Sequence, residues 1–347
     1  MSLYDSVLRP LLFRLDAEAA HHFGMWSLSL AETACGVARL MRQRVKPERS
    51  SLKMHVAGLD FPNPVGLGAG LDKNAEAMVG LFSLGFGAIE VGTVTPRAQP
   101  GNDKPRVFRI PEYQAVINRM GFNNEGVDAM AARLRELEWR PAPIGVNIGK
   151  NKDTPNERAV DDYRHCLAAV YHRASYVAVN VSSPNTKGLR DLQGEDALDA
   201  LLAALKNEQQ LQSDRHGKYT PIAVKIAPDL EPTAIEGIAR LLVRHRIDGV
   251  IATNTTLARD AVRGVKHADE TGGLSGRPLR EKATEVVRTL ARALDGALPI
   301  IAVGGILSGA DAREKIDAGA TLVQLYTGLV YRGPALVAEC ARATAAA

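Results

Sequence analysis

Eight short apolar runs recur between residues 64 and 326, most of them separated by stretches patterned as helices. They are PVGLG (64–68), AIEV (88–91), PIGVNI (143–148), YVAVN (176–180), PIAVKI (221–226), GVIATN (249–254), PIIAV (299–303) and TLVQLY (321–326). Continuous apolar runs, rather than alternating ones, mark strands buried on both faces, as in a parallel sheet covered by helices. DAMAARLREL (128–137), TAIEGIARLLV (233–243) and GADAREKIDAG (309–319) supply the helical pattern in between. Eight such strands predict an α/β fold of the (β/α)8 barrel type rather than an open doubly wound sheet. LKMHVAGLDF (52–61) reads as a small hairpin ahead of them. The connections 92–142 and 255–298 are long, and loops of that size usually build a site or a lid.

The first fifty residues read as a separate unit, 1–50, ahead of a barrel over 51–347. A short apolar helix over about 3–13 is broken near Pro10 and Asp16. A longer helix starts at Asp16, with Phe23, Trp26, Leu30, Ala34, Val37 and Met41 at helical spacing. It runs into the basic stretch RLMRQRVKPER (39–49). This N-terminal helical hairpin either packs on the barrel with a solvated basic end, or lies on an anionic membrane with its apolar face down. No run of about 18 apolar residues occurs, so nothing is expected to span a bilayer. The start lacks the pattern of a secretory signal. Cys35, Cys166 and Cys340 are too scattered for a zinc site or disulfide framework, so no metal is expected and a reducing cytoplasm fits. The net charge of +4 comes without basic patches interleaved with aromatics, which argues against a nucleic-acid partner.

In such a barrel the chemistry gathers where the strands end. The runs end in GLGAGLDKN (66–74), VGTVTPR (91–97), NIGKNK (147–152), NVSSPNT (180–186), VKIAPD (224–229), ATNTT (252–256), VGGI (303–306) and LYTG (325–328). Lys, Asn, Thr and Gly dominate and carboxylates are few, so the implied ligand is anionic and rich in carbonyls. Gly304 and Gly305, with Thr327 and Gly328, suit close backbone approach to a phosphate, although a plain tight turn reads the same way. Lys225 stands inside an apolar strand, where a lysine needs an anionic partner or a route to solvent. Lys73 follows Asp72 in a glycine-rich turn and is equally readable as surface charge. INRMGFNNEG (117–126) offers groups that could clamp a carboxylate, or a capped helix start. NVSSPNT poses a puzzle, because neither His, Asp nor Glu stands next to its two serines to activate one.

Taken together, ten blocks in order resemble the dihydroorotate dehydrogenases of the membrane-associated, quinone-reducing class. They are NPVGLGAGLDKN, EVGTVTPRAQPGNDKPRVFR, INRMGFNN, GVNIGKNK, VNVSSPNTKGLR, VKIAPD, TNTT, GGLSGRPL, VGGI and LYTGLVYRGP, and they cover essentially the whole chain. The resemblance implies an FMN enzyme of pyrimidine biosynthesis. It would oxidise (S)-dihydroorotate to orotate and pass the electrons to a membrane quinone, ubiquinone or menaquinone. The resemblance also answers the puzzle, because it makes Ser183 the base that takes the C5 proton while the flavin takes hydride from C6. A serine hydroxyl is a poor base at neutral pH, so it must pass its own proton on, for instance through a threonine-bound water.

FMN contacts are implied at Ala69, Gly70, Leu71, Asp72 and Lys73, and at Thr93, Asn147, Asn180 and Lys225. Further contacts are implied at Thr253, Gly276, Gly305, Tyr326 and Thr327, with Lys225 stabilising negative charge at flavin N1 and O2. The substrate would be held by Lys73, by Asn118, Arg119, Met120, Gly121 and Phe122, and by Asn180, Asn185, Asn254 and Thr255. His21, Arg109 and Tyr326 would line the mouth of a quinone tunnel formed by the hairpin. A monomer bound peripherally to the cytoplasmic face of a bacterial inner membrane is the implied setting. Every implied flavin and dihydroorotate contact lies beyond residue 65, so the hairpin is expected to serve the quinone half-reaction. Two other readings compete. A 2-hydroxy-acid oxidase barrel would need a histidine base, yet none of the eight histidines falls at a strand tip. A non-catalytic membrane-docked barrel would carry no flavin.

Overall fold

The computed structural model describes residues 4–33 and 52–345. A π-helical turn over Tyr4–Leu8 leads into α1 (Arg9–Leu12), and α2 (Ala17–Thr33) follows. Pro10 sits in the first turn of α1, directly after the π-helical turn. The helical run passes through Pro10 to Leu12, and the break falls at residues 13–16. Asp16 caps α2, its Oδ1 accepting from the N–H groups of Glu18 and Ala19 at 2.9 and 3.0 Å. Ala34, Val37, Met41 and the basic stretch 39–49 lie outside the described residues.

The hairpin expected at 52–61 forms as β1 (Met54–Val56) and β2 (Leu59–Phe61), with Phe61 packed against Ala88 and Leu322. The barrel begins with β3 (Val65–Leu67) and β4 (Ala88–Val94). The first long connection carries β5 (Val107–Ile110) and β6 (Ala115–Asn118). The barrel continues through β7 (Ile144–Ile148), β8 (Tyr176–Asn180), β9 (Ile222–Ile226) and β10 (Gly249–Ala252). The second long connection holds β11 (Gly273–Gly276), and β12 (Ile300–Val303) and β13 (Leu322–Leu325) complete the circuit. All eight apolar runs are thus strands of one closed parallel barrel, each paired with its neighbour in chain order and β13 returning to β3. Nearly every residue of these strands is buried, which explains why they read as unbroken apolar runs. The three helices patterned in the sequence appear at Val127–Glu136, Pro232–Arg244 and Gly309–Asp317.

The two long connections meet. β5, β6 and β11 form one antiparallel sheet in the order β11-β6-β5, with its own small core of Phe108, Ile110, Ile117, Val262 and Leu274. This sheet hangs the substrate-loop candidates Asn118–Phe122 from the end of β6. The N-terminal segment docks beside it. Arg109 of β5 donates to the carbonyls of Leu12 and Leu15, and its guanidinium lies 4.6 Å from the centre of the Phe13 ring. The Tyr4 hydroxyl and Arg9 reach the carbonyls of Val330 and Tyr331 at 2.5 and 3.0 Å. On α2, Glu18 and Met25 face inward, whereas Phe23, Trp26 and Leu30 are each more than half exposed.

Candidate active site

The floor of the site is a buried polar cluster inside an otherwise apolar barrel. Glu90, on β4, is fully buried. Its carboxylate accepts from Asn147 Nδ2 at 2.8 Å, Tyr176 OH at 3.1 Å and Gln324 Nε2 at 2.7 Å, and Lys225 Nζ stands 3.9 Å away. An ionised carboxylate survives such burial only when several donors replace its water. The partner that Lys225 needed is therefore Glu90, a residue whose role the sequence reading missed. The signal was present, since a Glu in AIEV is as anomalous in a parallel strand as a Lys in PIAVKI. Burial pushes the Lys225 ammonium below the usual lysine range, with Glu90 opposing the shift. Gly145 makes room for the ring of Tyr176 here, because a Cβ on it would fall 2.1 Å from Cζ of that ring.

Above this floor the strand tips interlock. Thr93 Oγ1 donates to Asn147 Oδ1 at 2.5 Å, and Asn180 Nδ2 reaches Thr93 Oγ1 and Asn147 Oδ1 at 3.0 and 3.2 Å. The two serines after β8 then part company. Ser182 is fully buried and belongs to this network, donating to Asn180 Oδ1 at 3.1 Å and accepting from Asn254 Nδ2 at 3.0 Å. Ser183 instead lines the cavity, and its Oγ accepts the Asn185 N–H at 3.3 Å. Asn185 in turn donates to Asn118 Oδ1 at 3.3 Å.

The cavity spans about 1000 Å³ including its open mouth, and none of its lining residues is Asp or Glu. Lys73 and Lys225 both face it, as do the amides of Asn118, Asn180, Asn185 and Asn254. Lys73 Nζ donates to Asn123 Oδ1 at 2.5 Å. Burial, reinforced by Arg106 and opposed by Glu18, brings the Lys73 ammonium down to about 7. At the far end Gly276, Gly304 and Gly305 form a cradle. A Cβ at Gly305 would lie 2.3 Å from Arg280 Cα, and one at Gly276 would lie 2.2 Å from the Gln114 carbonyl. Both glycines have positive φ, 75° and 92°. The cavity thus joins a wall of lysines and amides to a glycine-lined end with no carboxylate, which suits an anionic ligand. Gln324 adds a buried Oε1 without a partner among the described residues, an acceptor free for a ligand N–H.

Most of the residues singled out in the sequence converge on this one cavity. Ala69, Gly70, Thr93, Met120, Gly121, Phe122, Thr253, Thr255, Tyr326 and Thr327 also line it. Asn147 lies beneath, tied to Thr93 and Glu90. Leu71 packs against the hydrophobic core. Asp72 is buried and accepts from the N–H groups of Glu76 and Ala77 at 2.9 and 3.0 Å, so its side chain shapes the loop. The Arg119 guanidinium is also committed elsewhere, to Glu270 at 2.6 Å and to the face of Phe108. Tyr326 donates to the Gly70 carbonyl at 3.3 Å, and His21 lies within electrostatic reach of Lys73. Arg109 holds the turn between α1 and α2. No cluster of His, Cys, Asp and Glu able to bind a metal occurs among the described residues.

Comparison with known proteins places the chain in a family. The family model described as "Dihydroorotate dehydrogenase" matches residues 51–345. A protein of Ralstonia nicotianae named "Dihydroorotate dehydrogenase (quinone)" is 60% identical over 339 residues, 97% of either chain. One of the same name from Aromatoleum aromaticum is 58% identical over 342 residues, 99% of this chain and 95% of the relative. A crystal structure of DHODH in complex with ferulenol, from Eimeria tenella, superposes with a TM-score of 0.84 at 40% identity, covering 94% of this chain and 89% of that one. With a matched model over most of its length and relatives this similar, the chain belongs to the dihydroorotate dehydrogenase family.

Proposed function

We propose that this cavity holds FMN with its phosphate in the cradle of Gly276, Gly304 and Gly305, and dihydroorotate at the end formed by Ser183, Lys73 and the asparagine amides. As a family member the chain is a flavin-dependent dehydrogenase that oxidises dihydroorotate to orotate for pyrimidine biosynthesis and uses a quinone as electron acceptor. When bound, the flavin supplies the hydride acceptor for substrate C6 and the link to the quinone. Lys73 offers a cation to the substrate carboxylate, while Asn118, Asn185 and Asn254 offer amides to its ring. Lys225 brings a positive charge to the cavity floor, and Glu90 fixes where that charge stands.

Ser183 takes the C5 proton. The observation that carries this reading is its position: it lines a cavity free of carboxylates, while Ser182 is consumed by the asparagine network. Its own proton must then move on. The Thr186 hydroxyl, three residues further along and buried without a partner among the described residues, can hold the relay water.

The division into a 1–50 segment and a 51–347 barrel, a monomeric state and peripheral attachment to the cytoplasmic face of a bacterial inner membrane complete the proposal. Val7, Leu8, Leu11, Leu15, Phe23, Trp26 and Leu30 make up seven of the eleven large exposed apolar side chains among the described residues. No described helix is long and apolar enough to cross a membrane. An apolar face of this kind suits the headgroup boundary, where a lipid-soluble quinone is concentrated. His21 on α2, Arg109, which donates to the Leu12 and Leu15 carbonyls, and Tyr326, which lines the cavity, are the proposed quinone-side residues. Denaturing the purified protein should release one flavin per chain with the mass of FMN. Release of FAD, or of no flavin, contradicts the cofactor assignment.

A further inference from the structure

We infer that Glu18 of α2 is a positioning residue for dihydroorotate oxidation, acting through Arg106 on the loops that shape the substrate end of the cavity. The inference rests on the proposed sharing of the cavity by flavin and dihydroorotate. Glu18 and Arg106 are 88 positions apart, and both are buried. Arg106 donates from Nε to both carboxylate oxygens at 3.2 Å and from Nη2 to Oε1 at 2.7 Å. Lys104 Nζ and His22 Nε2 approach the same oxygen at 3.3 and 3.6 Å. Burial alone would push the Glu18 carboxyl up, but hydrogen bonds from Arg106 and Lys104 outweigh it and hold it at about 2. The carboxylate is therefore charged at any working pH.

From Arg106 the connection runs to the base. Its Nη1 donates to the carbonyls of Pro100 and Asn102 at 2.7 and 2.8 Å, and its own carbonyl accepts the Arg119 N–H at 2.9 Å. Asn102 donates from its backbone N–H to the Met120 carbonyl at 3.0 Å. Its Nδ2 reaches the carbonyls of Arg119 and Asn185 at 2.9 and 3.4 Å. Met120 and Asn185 line the cavity, and the Asn185 N–H holds Ser183 Oγ. A carboxylate on the N-terminal helix thus anchors both the substrate loop and the loop carrying Ser183.

Charge supports the same role. Lys73 feels Arg106 and Glu18 with opposite sign, so Glu18 offsets the repulsion that would strip the Lys73 proton. His21, the other ionisable group near Lys73, is lowered to about 4 by burial with help from Lys73 and His22, and is neutral at working pH. Removing Glu18 leaves Arg106 buried and unpaired, a costly state it can relieve only by moving. The segment itself keeps its other ties, from Tyr4 to Val330, Arg9 to Tyr331 and Arg109 to Leu12. Glu18→Gln should therefore stay docked.

The test is anaerobic bleaching of the flavin in full-length, flavin-loaded protein, followed against dihydroorotate concentration and pH. In Glu18→Gln half-saturating dihydroorotate should rise about tenfold or more, the range for losing a charged hydrogen bond, with a smaller fall in the maximal bleaching rate. The pH above which affinity falls should move down, because Lys73 loses its proton earlier. Glu18→Asp, which keeps the charge, should hold that pH. Glu18→Gln combined with Arg106→Gln removes both opposing charges and should return it towards the wild-type position. Wild-type half-saturation with an unmoved pH limb in Glu18→Gln overturns the inference, as does a fall confined to the maximal rate. A wild-type protein that dihydroorotate does not bleach refutes the reading of the cavity instead.

Discussion

Replacing Ser183 by alanine removes one hydroxyl from the cavity wall, and the structure allows its effect to be separated from that of its neighbour. Ser183 Oγ accepts a single N–H bond, so its loss leaves the asparagine network intact. Flavin content and orotate affinity should be preserved. The loss falls on proton abstraction, where a positioned base contributes about 10²–10⁴-fold, or roughly 3–5 kcal/mol of barrier. Ser182→Ala does the reverse. It deletes the hydrogen bonds to Asn180 and from Asn254 at 3.1 and 3.0 Å, each worth about 1 kcal/mol. Those two amides line the proposed dihydroorotate site, so half-saturation should worsen several-fold while the limiting rate changes little. Stopped-flow flavin reduction under anaerobic conditions reads both quantities in one titration. Ser183→Cys should retain more activity than Ser183→Ala, because a thiol ionises more easily. A damaging Ser182→Ala beside a mild Ser183→Ala would falsify the assignment of the base.

Three further outcomes follow from the same geometry. Lys225→Met leaves Glu90 buried with its three donors but no cation, and should lower flavin retention and cost about 3–5 kcal/mol of stability, measured by thermal unfolding with and without added FMN. Orotate affinity should be full below the Lys73 pKa of about 7 and fall roughly tenfold per pH unit above it, because only the ammonium pairs with a carboxylate; a flat profile to pH ~9 refutes a role for Lys73. Gly305→Ala places a Cβ 2.3 Å from Arg280 Cα at a φ of 75°, and should yield folded protein with little flavin or cost well over ~1 kcal/mol of stability.

The barrel was legible because parallel strands buried on both faces write themselves as apolar runs, and all eight did so. The antiparallel sheet above the barrel was not. VFRI and AVIN look like fragments of a long loop, and their third partner, GLSG, lies more than 150 residues downstream. Pairing at that distance leaves no local period to read. The glycines of the proposed phosphate cradle were visible in the sequence, but the reason each must be glycine appeared only as the backbone and side-chain atoms beside it. Glu90 could have been found by the argument already applied to Lys225, whereas the Glu18–Arg106 pair could not. Glu18 looked like an ordinary acid in the first turn of a helix, and only the docked helix brings it to Arg106. The inferred role of Glu18 would cross the expected separation between hairpin and dihydroorotate chemistry.

The most direct test of the whole account is to mix the purified, flavin-loaded protein with dihydroorotate in the absence of oxygen and follow the flavin absorbance. Full bleaching is expected, with one orotate formed per flavin, followed by recovery of the oxidised spectrum when a quinone is added. A spectrum that dihydroorotate leaves unchanged, in protein whose flavin still responds to a chemical reductant, would contradict it.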